Sequence, residues 1–152
     1  LQQVNPDRAL VLQFLHGGGQ PLAITSNPLA SDLAGMIREL DASEGTASLA
    51  FEPPHRFLQG AQTLQGGAIA TMLDFAMAFA AHARLEMQDQ AFATASLTVQ
   101  FLRPAPAPAR YLARGRILKS GPRLIYAEAD LCRESETRII ATASAVMALA
   151  AP

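Results

Sequence analysis

This 152-residue chain predicts an α+β fold, one antiparallel sheet wrapped around a single long helix, with two short helices ahead of it. Three observations carry that expectation. The run Leu64–Ala81, "LQGGAIATMLDFAMAFAA", is apolar on nearly every side of a helix and needs cover around most of its circumference. A strand hairpin precedes it and four strand-like segments follow it. A sheet that curls around the helix provides the cover with the elements available.

The elements read in order as follows. "NPDRALVLQFLHGG" begins a helix with Asn5 or Asp7 as cap and Pro6 in the first turn, and glycines stop it. "SNPLASDLAGMI" repeats the device with Asn27 and Pro28. "IRELDASEGTASLAFEP" is a hairpin, with strands over Ile37–Asp41 and Thr46–Glu52 and a turn at Ser43, Glu44 and Gly45. A loop through Pro53, Pro54 and His55 leads to the long helix, Gly66 to Arg84. "TASLTVQF" then alternates Thr94, Ser96, Thr98 and Gln100 against Ala95, Leu97, Val99 and Phe101, a period of two. "RPAPAPAR" ends that strand, because proline cannot continue a ladder. Strands over Tyr111–Lys119, Leu124–Cys132 and Arg138–Leu149 complete the chain. No repeat, low-complexity tract or linker divides residues 1–152, so one domain is expected. Its helical N-terminal extension is residues 1–36 and its core is residues 37–149.

Composition excludes several classes. Half the residues are apolar, 16% are charged and the formal net charge is −1, which suits a folded globule and lacks the basic excess of a nucleic-acid binder. Cys132 is the single cysteine, so no internal disulfide can form and a reducing cytoplasm is the expected location. "LQQVNPDRAL" has no basic segment followed by an apolar one, so no signal peptide is expected. Leu64–Ala81 is barely long enough to span a membrane and about a third alanine. Asp74 at its centre would cost roughly 2.5–3.5 kcal/mol there, so no membrane partner is expected.

The order of two strands, long helix and four strands, with "LQGGAIATMLDFAMAFAA", "SLTVQFLRPA" and "IIATASAVM", resembles the hotdog-fold thioesterases of the phenylacetate-pathway and 4-hydroxybenzoyl-CoA type. The resemblance covers Ile37 to Leu149. That family starts its helix with His-Gly-Gly and has Asp or Glu nine residues after the His. The matching positions here are Gln65, Gly66, Gly67 and Asp74, with Gln in place of His. Gln59 stands where the family has Asn or Gln, and Gln62 replaces a glycine often found between. The resemblance implies an acyl-CoA thioesterase without cofactor or metal, working as a homodimer or a dimer of dimers.

Thioester hydrolysis needs a polarised carbonyl, an attacking or activating group and a held oxyanion. Glycines at a helix start offer unpaired N–H groups at the positive end of the helix dipole, with no Cβ to block a close approach. Gly66, with Gly67, is thus the candidate oxyanion donor, and Asp74 the nucleophile or general base. Eight residues of helix separate them by about 12 Å, so one helix cannot present both to one carbonyl. An antiparallel helix from a second subunit could. The plainer alternative is that Asp74 fixes packing through a hydrogen bond to a backbone N–H or a partner's Thr71. Gln59 could hold water or the carbonyl, and Gln65 could simply cap the helix.

Arg103, and the turn residues Lys119, Ser120 and Gly121, could meet coenzyme A phosphates or be merely solvated. His16, His55 and His82 lack metal-ligand spacing, and His82 reads as a polar break near the helix end. "HGGGQ" resembles a lipase oxyanion segment, but no G-x-S-x-G accompanies it. A hotdog dehydratase would need a His paired with the acid, and none is suitably spaced. A non-catalytic acyl-binding or scaffold protein on the same fold is the other reading, favoured by the missing His.

Overall fold

The two Asn-Pro pairs begin the two leading helices. In the computed structural model, which describes residues 4–85 and 90–150, Asn5 Oδ1 accepts from the N–H groups of Asp7 and Arg8 at 2.9 and 3.4 Å and starts α1 (Pro6–His16). Asn27 does the same for α2 (Pro28–Asp32). Asp7 is therefore a first-turn residue rather than the cap. Its carboxylate accepts from Ser26 Oγ at 2.6 Å and so ties the starts of α1 and α2 together.

The extension is not wholly helical. Leu22–Ala23 forms a two-residue strand, β1, which pairs with β2 (Met36–Asp41). The core thus begins at Met36, and the sheet recruits an edge from the segment expected to be helices alone. β3 (Thr46–Phe51) closes the hairpin, with Gly45 at φ +68° in its turn, where a side chain would be strained.

The central helix α3 spans Gly66–Arg84, the expected bounds. After it come β4 (Phe92–Phe101), β5 (Tyr111–Ser120), β6 (Leu124–Arg133) and β7 (Ile139–Leu149). All seven strands join one antiparallel sheet in the order β1-β2-β3-β5-β6-β7-β4. This is the hotdog architecture: α3 lies in the curl of the sheet, mainly over β3, β5 and β6, with α1 packed on its other side.

Small residues set how closely helix and sheet approach. Ala113, Ala127, Ala129, Ala141, Ala143 and Ala145 are buried on the inner face of β5 to β7. At the tightest point a Cβ on Gly115 would lie 2.3 Å from the Ala76 carbonyl oxygen, so any side chain there would collide with the helix backbone. α3 is long and apolar enough to cross a membrane by composition. Here 61% of its apolar window is buried inside the chain itself.

β4 departs from the alternation read in the sequence. A bulge between Thr94 and Ser96 inserts Ala95 as an extra residue. Thr94, Leu97, Val99 and Phe101 then pair with the inward residues Met147, Ala145, Ala143 and Ala141 of β7. Thr94 therefore shares the helix-facing side with the apolar residues instead of the outer face with Ser96, Thr98 and Gln100. One extra residue reverses the period-two pattern, and that reversal builds the site described next.

Candidate active site

α3 begins with its backbone fastened and its first donors free. Leu64 N–H donates to Ala105 O and Gln65 N–H to Phe57 O, both at 2.8 Å, and Gln65 O accepts from Ala68 and Ile69. The N–H groups of Gly66 and Gly67 have no acceptor among the described residues. No acidic residue occupies the first turn, so nothing charged in the sequence offsets the positive end of the helix there. The two glycines differ in their surroundings. A Cβ on Gly66 would sit 3.2 Å from the Phe101 ring, whereas nothing lies within 4 Å of a Cβ on Gly67. The close neighbour that Gly66 admits within its own chain is thus a side chain of β4.

Two turns along, Asp74 is half-buried and accepts from Thr94 Oγ1 at 2.9 Å. The bulge in β4 is what turns Thr94 toward α3. Within the chain, the Thr71 hydroxyl donates back to Gly67 O at 2.8 Å in its own helix. Gly66 and Asp74 are held in one continuous helix, about 12 Å apart along its axis, and no bend brings them together.

The remaining candidates separate. Gln59 uses its amide within its own loop: Nε2 donates to Thr63 Oγ1 at 2.7 Å and Oε1 accepts from Ala61 N–H at 2.8 Å. It organises the turn in which Gln62 adopts φ +63°, the conformation that favours the glycine of the resembled family at that place. Gln65 occupies the cap position, yet its exposed side chain makes no cap hydrogen bond. Arg103 lies two residues beyond Phe101 and donates to the Ile139 carbonyl. Lys119, Ser120 and Gly121 lie at the other end of the sheet, where Ser120 pairs with Ile125 while Tyr111 pairs with Arg133. That strand length is roughly 30 Å, so one chain does not gather Arg103 and this turn into a single subsite.

His82 lies in the last turn of α3, as expected, but it is buried there. It is 7% exposed, with its ring 4.6 Å from Phe92 and 6.3 Å from Phe79. Burial lowers its pKa from 6.5 to about 4; the Asp7 charge raises it by a smaller amount and the Arg8 charge lowers it further. Among the described residues no three His, Cys, Asp or Glu side chains gather where a metal could bind. Gly17, Gly18 and Gly19 end α1, with positive φ at the last two, as a helix stop requires.

A family model described as the thioesterase superfamily matches residues 61–140, from the turn before α3 to the start of β7. The chain belongs to that superfamily. Among solved structures, this superfamily member is similar to a phenylacetic acid degradation-related protein from Ralstonia eutropha JMP134. The identity is 27%, over 91% of this chain and 98% of that one, with a TM-score of 0.76. A thioesterase family protein from Silicibacter pomeroyi is 26% identical over 93% and 99% of the two chains, with a TM-score of 0.77. The E. coli PaaI protein of the phenylacetic acid degradation operon shares the fold at 17% identity, with a TM-score of 0.75 over 98% and 97%. No curated protein sequence matches the chain.

The sequence reading of this superfamily member missed two residues at the site, Thr94 and Phe101. The hydroxyl of Thr94 was hidden inside an apparently regular alternation. Phe101 shares the apolar face of the alternation with Ala95, Leu97 and Val99 in the sequence, yet it is 55% exposed and stands over the start of α3.

Proposed function

We propose that this protein is an acyl-CoA thioesterase whose active site is shared between two copies of the chain. The observation that carries the reading is the edge strand β4. It pairs on one side only, nearly every residue in it is exposed, and its inward row includes apolar Leu97 and Phe101. Thr94, holding Asp74, stands near one end of this strand, and Phe101, over Gly66, stands at the other. Antiparallel strands run past each other in opposite senses. Pairing β4 with its copy so that Leu97 faces Val99, with the bulged Ala95 left out of the register, would set Thr94 of each chain opposite Phe101 of the other. Asp74 of one copy would then approach Gly66 of the second, which the 12 Å within one helix forbids.

In that arrangement the thioester carbonyl oxygen accepts from the Gly66 N–H, with Gly67 as a second donor. Asp74, as general base, takes a proton from water while the water oxygen bonds to the carbonyl carbon. The tetrahedral oxyanion collapses, the carbon–sulfur bond breaks, and the coenzyme A thiolate leaves and takes up the proton. As nucleophile, Asp74 would instead form a mixed anhydride that water hydrolyses to the same acid. Thr94 orients the carboxylate in either route. Gln65 cannot supply the imidazole found at its position in the resembled family, so the site relies on backbone donors and one carboxylate.

Assay against a panel of acyl-CoAs tests the reading. Asp74→Asn, nearly isosteric, should melt like wild type and lose at least about 100-fold in kcat on the best substrate. Mixing it with an inactive Gly66→Val variant should restore activity, because one site of each heterodimer keeps both groups. Wild-type turnover by Asp74→Asn would remove the catalytic role. No hydrolysis of any thioester, with acyl-CoA binding retained, would leave an acyl-binding protein on this fold.

A further inference from the structure

Gly66 faces Phe101, but Gly67 opens onto a different space. A cavity of about 450 Å³ lies between α2, the 3-10 turn His55–Phe57 and the first two turns of α3. Its apolar walls are Leu29, Leu33, Phe57, Leu58 and Ala68. We propose that this cavity receives the acyl group of the thioester and that Leu29 limits the length accepted. The inference rests on the thioesterase reading above.

Three features support an uncharged apolar acyl group as the occupant. The cavity reaches the α3 backbone at Gly67, where no Cβ intervenes and the N–H has no acceptor among the described residues. A carbonyl bound there would have its acyl substituent directed along the cavity. The volume falls in the lower half of the range for small-molecule sites, enough for a medium chain or an aromatic ring. The one charged group on the rim is already engaged. Arg56 donates to Asp32 Oδ1 at 3.0 Å and lies 5.3 Å from the centre of the Phe57 ring, tying the 3-10 turn to α2. A terminal carboxylate would have to compete with Asp32 for this arginine, so dicarboxylic acyl groups should be poorer substrates than apolar ones.

Leu29 lines this cavity and is 44% exposed, so it borders both the cavity and solvent. Leu29, Leu33, Phe57 and Leu58 all precede residue 61, where the superfamily match begins. The proposed size limit therefore rests on residues that lie ahead of the matched range.

The test measures chain-length preference in two ways. Non-hydrolysable S-methyl- and S-octyl-coenzyme A report binding by calorimetry, and kcat/KM across acetyl to decanoyl thioesters reports turnover. Leu29→Trp should weaken S-octyl binding and octanoyl turnover at least about tenfold and leave the shortest ligands within about twofold. Leu29→Ala should extend the longest chain accepted. Thermal melts confirm that both variants fold. Unchanged length profiles in both variants would overturn the pocket, as would absence of thioether binding or equal turnover of dicarboxylic and apolar thioesters. Hydrolysis with an unchanged profile refutes the pocket alone. Length-dependent binding that Leu29→Trp abolishes, with no hydrolysis of any thioester, refutes the activity alone.

Discussion

The two edges of the sheet are finished in different ways. One ends in β1, two residues long and contributed by the segment between α1 and α2. So short an edge offers little ladder to a neighbour. The other ends in β4, ten residues long, exposed along nearly its whole length, with Leu97 36% and Phe101 55% exposed. A long uncovered edge carrying apolar side chains is a hazard in a monomer and a pairing surface in an oligomer. The contrast makes β4 the edge at which the proposed shared site would place a second copy. The same long edge holds Thr94 against Asp74 and Phe101 over Gly66, so assembly and chemistry would depend on one strand.

The sharpest way to break the contrast is to place one charge on each edge in turn. Leu97→Asp should leave a folded monomer by light scattering and remove thioesterase activity altogether, since neither site would then be complete. Ala23→Asp, on exposed β1, should change stability by no more than about 0.5 kcal/mol and leave mass and turnover alone. An active monomer from Leu97→Asp would end the shared-site model.

A second prediction concerns the inner anchor of β4. Phe92 at its start packs against His82, buried neutral at the far end of α3. The His82 pKa falls from 6.5 unfolded to about 4 folded, so below pH 6.5 the unfolded chain binds a proton that the native one does not. Stability is full above pH 6.5, falls as pH drops, and by pH 4 has lost roughly 3 kcal/mol from this group. Urea melts from pH 7 to 4 should show the slope, and His82→Phe should flatten it. An unchanged slope in the variant would assign acid sensitivity elsewhere.

The smallest expected effect is at Thr94. Thr94→Val keeps the shape and β-branching of the side chain and removes the hydroxyl that donates to Asp74. Turnover should fall about tenfold, the worth of one hydrogen bond to a charged group, with KM and dimer mass little changed. Thr94→Ser should recover most of the loss. Equal activity in the valine and serine variants would show that Asp74 needs no orienting partner.

The sequence by itself determined what depends on near neighbours along the chain. The Asn-Pro starts, the glycine stops and the bounds of α3 follow from capping and from a periodicity that one stretch contains entirely. Asp74 stood out for a similar reason, as a carboxylate within an apolar helix. Its distance from Gly66 is also a property of one helix, and the need for a second helix could be argued from it before any fold was known.

Only the tertiary structure decided the rest, because it depends on which strands lie side by side. The bulge at Thr94 is set by register against β7, and no local pattern marks it. β4 is an edge because β5 inserts beside β3 and β7 lies between β6 and β4, an order that strand propensity cannot express. Gln59 and Gln65 had the composition of site residues, but a loop bends Gln59 onto itself and leaves Gln65 pointing at no partner of its own helix start. Side-chain type states what chemistry is available. Strand order and register decide which of those groups meet, since they alone bring residues distant in sequence within hydrogen-bonding range.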